Sequence, residues 1–210
     1  FLLGFMLWRD GPRGTVALFK GMGLAGLGVA LCFAIASSSF VVALAYTTVA
    51  NILLMQAGVP LIAALLTWTL FRERISGATW AAIAAVIAGV AIMVSESFTG
   101  KVSPIGDGLA LLISVMFAIA TVITRRHAHV RMTPAVCLGT ILAACFAGLL
   151  AGHYAVSAAD LGWLVTFGAL NLGLGLVMFT TGVRLLPAAL AALVGTLEPV
   201  LGPIWVWLVH

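Results

Sequence analysis

The chain has 210 residues, of which 63% are hydrophobic and 8% charged, with 10 Lys and Arg against 6 Asp and Glu for a net charge of +4. A mean hydropathy of +1.24 lies far outside the range of a soluble globular domain and assigns the protein to the membrane. Length and composition together leave no room for a separate water-soluble domain.

Taken in chain order, apolar runs separated by short polar breaks predict a helix tail at about residues 1–7. Spans follow at about 21–45, 48–70, 77–95, 105–124, 134–152, 161–182 and 187–209, each crossing needing ~20 apolar residues. Helices are required rather than strands. A closed barrel also satisfies its backbone in lipid, but its strands alternate apolar and polar residues, and AAIAAVIAGVAIMV at 81–94 does not. The chain opens at Phe1 already apolar and stops at His210 directly behind a Trp-rich run, as a fragment would.

Successive loops alternate sides, and Lys and Arg favour the cytoplasmic one. Arg9, Arg13 and Lys20 fall in the first loop, Arg72 and Arg74 in the third, Arg125, Arg126 and Arg131 in the fifth, and Arg184 in the seventh. Only Lys101, in SFTGKVSPIGD, falls on the other side, so nine of the 10 basic residues agree on a cytoplasmic face. Tryptophans prefer the headgroup level, and they fit: Trp8, Trp68 and Trp80 sit near cytoplasmic ends, and Trp163, Trp205 and Trp207 near the opposite ends.

Setting residue n against n + 139 pairs Ala50 with Ala189, Leu54 with Leu193, Pro60 with Pro199 and Trp68 with Trp207. The two helices are five spans apart and cross in opposite directions. Inverted repeats of this kind mark secondary transporters, whose substrate site lies near the midplane between the halves.

Motifs of other classes fail on context. GMGLAG at 21–26 matches the dinucleotide pattern in form, but no strand precedes it. These glycines, with Gly28, Gly173 and Gly175, are expected to let helices approach closely. RRHAHVR at 125–131 is read as a basic cytoplasmic loop rather than a nucleic-acid patch, and His127 and His129 diverge too far on a helix to share a metal. Cys32, Cys137 and Cys145 lie in apolar spans without a paired motif. No metal, cofactor or hydrolase constellation is expected, and Ser37, Ser38 and Ser39 either bond back to helix carbonyls or face a cavity.

The strongly polar residues at depth are few. Glu198 and Asn171 fall at the centres of their helices and Gln56 within a turn of centre. A charge there costs ~2.5–3.5 kcal/mol on insertion scales, so such groups face a protein interior or a water-filled cavity. For Asn171 and Gln56 the choice lies between an interhelical amide bond and substrate contact. Glu198 either stays protonated as a hydrogen-bond donor or takes part in substrate binding or proton coupling. Pro60 and Pro199 each delete a helix hydrogen bond, freeing the carbonyls of Gln56 and Gly195, and such breaks are tolerated where helices line a cavity or pack in protein.

AYTTVANILLMQAGVPLIAALLTWTLFRERISGATWAAIAAVIAGVAIMV at 45–94 resembles the first EamA repeat of the drug/metabolite transporter superfamily, and LPAALAALVGTLEPVLGPIWVWLV at 186–209 resembles its counterpart in the second. The resemblance implies an all-α polytopic bundle of two inverted five-helix repeats. These fall at 1–96, lacking its first helix and most of its second, and at 105–210, lacking its last. It also implies export or exchange of small metabolites by alternating access, without cofactor. Glu73 matches the family's motif position, but beside Arg72 and Arg74 it reads as a topology and ion-pair residue.

The expectation is therefore a multi-pass bacterial inner-membrane exporter of a small organic solute such as an amino acid or drug-like compound. Glu198, Asn171 and Gln56 would touch its cavity, and Pro60 and Pro199 would kink the helices there. Its partners are the bilayer and the solute, not nucleic acid. A sugar-phosphate or nucleotide-sugar exchanger of the same fold would need cavity-facing Lys or Arg, and none lies deep in these spans. An intramembrane enzyme lacks a nucleophile or base set, and a non-transporting scaffold leaves three polar residues at depth without a purpose.

Overall fold

The computed structural model describes residues 1–72, 76–98, 103–150 and 157–175, with single residues at 178, 201 and 208. The described elements run α1 Leu2–Gly21, α2 Gly23–Ala43, α3 Val49–Gln56, α4 Val59–Phe71, α5 Gly77–Phe98, α6 Pro104–Arg126, α7 Thr133–Leu150 and α8 Ala158–Thr166, followed by a π-helix at Phe167–Leu174. Among the described residues there is no strand. In lipid a backbone group without an internal partner has no water to turn to, which makes the helix the default. Gly23–Ala43, Val49–Phe71 and Pro104–Arg126 are each long and apolar enough to cross a bilayer, with mean hydropathies of 2.0, 2.0 and 2.1. The span expected at 187–209 lies outside the described residues.

The first polar segment departs from expectation. Instead of a loop carrying Arg9, Arg13 and Lys20, α1 continues to Gly21 and is broken only at Gly11, with φ 69 and ψ 172. Glycine reaches that region without a Cβ penalty, and Pro12 opens the next segment where its missing N–H is not needed. The charges conceal a helical face: Thr15 and Met22 are buried, and Phe19 packs beside Met22 in a core cluster with Val29, Cys32 and Ala135. The spacing of four and three residues is that of one helix stripe.

Helix α6 organises the bundle, lying against α2, α3 and α4. Helix α2 runs antiparallel to it: Thr47 and the Tyr46 carbonyl meet Gly106 at one end, and Gly28 meets Ile123 at the other. Between them Ala36, Ala43, Ala110 and Ile113 are buried together with Ile52 and Met55 of α3. Helix α4 runs parallel to α6, with Ala63 packed on Ala118 and Val122. Helix α7 takes the remaining side of α2, where Gly139 comes so close that an added Cβ would stand 2.7 Å from the Ala30 carbonyl oxygen. These directions are those of a chain that alternates its crossings.

Small residues recur along the seams, Ala36, Ala43 and Ala110 among them, because lipid tails are as apolar as leucine, and helices associate there by close packing rather than by escape from water. Of the glycines expected to serve close approach, Gly28 and Gly173 do so, their added Cβ atoms falling 3.3 Å from Ile123 Cδ1 and 2.6 Å from the Phe1 ring. Gly23 instead takes φ 56 and turns the chain between α1 and α2. The glycines whose added Cβ would meet the backbone of another segment, Gly106 at the Tyr46 carbonyl and Gly139 at the Ala30 carbonyl, were not among those expected.

The two ends of the bundle differ in chemistry. At one end Asp10 of α1 accepts from Arg131 Nη1 at 3.0 Å, and the Arg126 guanidinium carbon lies 3.8 Å over the Phe71 ring. Trp68 and Trp80 meet edge to face beside it, with centroids 5.1 Å apart. The opposite end holds an amide and a carboxylate.

Candidate functional site

That second end is built from Thr47 upward. Thr48 caps α3, its hydroxyl accepting the Asn51 backbone N–H at 3.2 Å. The side chain of Asn51 then donates one Nδ2 hydrogen to Thr47 Oγ1 at 2.8 Å and the other to Asp107 Oδ1 at 2.7 Å. The amide's two donors are thereby used. Asp107 is only 4% exposed and stands in the first turn of α6, where the helix N-terminus favours a negative charge. A buried carboxylate is tolerated when charge-assisted hydrogen bonds replace its water.

Deeper in the same span, Gln56 is the last residue of α3 and half-buried. The helix is interrupted at Ala57 and Gly58, and Gly58 N–H donates to the Met55 carbonyl at 3.1 Å, a tightened turn. Pro60 follows in the first turn of α4, exposed, and has no N–H with which to reach Gln56. Residues 57 and 58 keep near-helical dihedrals, so the break tightens the span without reversing it. It lies eight residues beyond Val49, about 12 Å along the axis. Asn51 and Gln56 stand about 140° apart around α3, and Ile52 and Met55 between them face α6.

In the second half, α8 is capped by Ser157, which accepts from Asp160 N–H at 3.1 Å and donates to its carboxylate at 2.7 Å. The helix then widens into the π-helix Phe167–Leu174, which carries Asn171. Glu198 and Pro199 lie outside the described residues. Whether the side chains of Asn171 and Glu198 meet Gln56 lies outside the described residues.

No cluster of three His, Cys, Asp or Glu able to hold a metal occurs among the described residues. His127 sits at the end of α6 with Nδ1 3.1 Å from the Ile123 carbonyl. Cys32 and Cys137 are buried and free.

Residues 1–95 and 104–210 both match the model of the EamA-like transporter family. The chain belongs to that family. It is a multi-pass integral membrane protein and a membrane transporter of the drug/metabolite type. Comparison with curated proteins returns no match, and neither does comparison with solved structures. In this EamA protein the Asn51–Asp107 bond joins one matched segment to the other. Sequence reasoning missed that pair because Asp107 sits in SPIGDG and reads as loop, and Asn51 opens a span where a polar residue is unremarkable. The available signal was Thr47 and Thr48 just ahead of Asn51, a capping pattern at a helix start, with an acid three residues behind Pro104.

Proposed function

We propose that the protein exports a small organic solute, an amino acid or drug-like compound, across a bacterial inner membrane by alternating access. The pathway runs between two inverted five-helix repeats, 1–96 and 105–210, and its cavity is touched by Gln56, Asn171 and Glu198. What supports this reading most directly is the backbone beside the two amides. Gln56 ends a helix just before an interruption, and Asn171 lies in a π-helix. Irregular backbone at membrane depth is tolerated where it lines a cavity or is buried in protein, and discontinuous helices form the substrate sites of secondary transporters. Glu198 then binds an amine on the solute or carries a proton.

A phosphate-bearing substrate is disfavoured because Gly23–Ala43 and Val49–Phe71 carry no Lys or Arg and Pro104–Arg126 carries them only in its last turn, while Arg9 and Arg13 flank the break in α1. The test is a growth panel of metabolites and drugs in cells carrying the full-length gene, where rescue names both solute class and direction. Glu198→Gln is expected to abolish or uncouple that rescue at unchanged expression. Unaltered export with unaltered pH dependence would remove Glu198 from the mechanism.

A further inference from the structure

Helices α4 and α6 stay in contact through Ala63, Ala118 and Val122 and then part toward the basic end. The gap is a cleft of about 280 Å³ lined by Thr67, Phe71, Val122, Arg125 and Arg126. We propose that this cleft seats the phosphate headgroup of an anionic phospholipid, with Arg125 and Arg126 as its ligands.

The donors are set out for an oxyanion. Arg126 stands over Phe71, its guanidinium carbon 3.8 Å from the ring centroid, and its N–H groups have no hydrogen-bond partner among the described residues. Phosphate is bound by that planar fork. Neither Arg125 nor Arg126 forms a hydrogen bond or ion pair with a described residue, whereas the nearby acid Asp10 is committed to Arg131 at 3.0 Å. Thr67 adds no donor, because its hydroxyl already gives its hydrogen to the Ala63 carbonyl at 2.7 Å. The cleft is therefore cationic on one wall and apolar on the other.

Depth selects the ligand. Trp68 adjoins Thr67 and meets Trp80 edge to face, and both indoles are exposed, as at the boundary between acyl chains and headgroups. Leu70, three residues from Thr67 and on the same side of α4, is 66% exposed and offers an acyl chain an apolar surface. Basic pockets between helices on the cytoplasmic side suit anionic headgroups, and the basic loops place this end there. The proposal requires only that the protein sits in a membrane, so it stands or falls separately from the transported solute.

The full-length protein is purified from mixed phosphatidylglycerol and phosphatidylcholine, and the lipids it retains are counted by native mass spectrometry. Each arginine near the surface contributes about fivefold in anionic-lipid preference and the pair about thirtyfold, so R125Q/R126Q should lower the retained phosphatidylglycerol ratio by that order. R9Q/R13Q removes the same charge from α1 outside the cleft and should lower the ratio by clearly less than R125Q/R126Q. An equal loss in both double variants, or no loss in R125Q/R126Q, overturns the site. Displacement by inorganic phosphate at the potency of phosphatidylglycerol would show a free-anion site and overturn the lipid assignment. If the double variant folds poorly, R125Q alone, at an exposed side chain with no described partner, carries the test at about fivefold.

Discussion

Gly139→Ala is a strong test of how the bundle is held together. A methyl at that position would stand 2.7 Å from the Ala30 carbonyl oxygen and 2.8 Å from Phe33 Cβ, where carbon atoms ordinarily rest about 3.5–4.0 Å apart. Both neighbours are backbone or backbone-proximal atoms of α2 and cannot swing aside, so α2 and α7 must separate by roughly 0.7 Å at this level. Overpacking of this kind costs ~1–3 kcal/mol, against a gain of ~0.5–1 kcal/mol from replacing glycine inside a helix. The net is a loss on the order of 1 kcal/mol. Gly108→Ala in α6 provides the opposite sign, because nothing lies within 4 Å of its added Cβ and only the gain remains, about 0.4–1 kcal/mol. Thermal unfolding of the two variants in one detergent, followed by tryptophan fluorescence, should move the midpoints in opposite directions by a few degrees. A Gly139→Ala midpoint at or above that of the parent protein would refute close approach at this glycine as the source of α2–α7 packing.

Three further outcomes are expected. Asn51→Ala should destabilise the protein by about 1.5–3 kcal/mol, because it withdraws a charge-assisted donor from a buried carboxylate. In a double-mutant cycle with Asp107→Asn the losses should be clearly non-additive, and additive losses would dissolve the pairing. Arg131→Ala should cost ~1 kcal/mol or less, since both partners of the Asp10 pair are partly exposed. That cost should shrink as salt is raised, and a salt-independent loss would point to packing rather than charge. Cysteines at positions 101 and 127 should label from opposite sides of the membrane, and labelling from one side would overturn the alternation of spans.

Much of the fold is legible in the chain because a bilayer imposes a one-dimensional rule. A run such as AAIAAVIAGVAIMV leaves only a helix as a solution, and the expected spans between 21 and 152 meet the helices α2 to α7 closely. The rule weakens where polar residues are helical as well. Residues 8–20 read as loop from their charges, yet Gly11 and Pro12 only bend a helix there. Of the site, the sequence singles out polar residues at depth, since depth follows from counting along a span. It does not say which of them meet.

What the amino-acid sequence determined by itself is membrane residence, helical class, the grouping of basic loops and membership of a repeat family, all properties of composition and order along the chain. Tertiary structure alone decided that α6 stands between α2 and α4, that Asn51 reaches Asp107 across 56 residues of chain, and that Gly106 and Gly139 stand against the backbone of another segment. The reason is physical. Without water to sort apolar from polar faces, neighbouring helices are chosen by the fit of small residues and by a few buried hydrogen bonds. Neither leaves a period in the sequence.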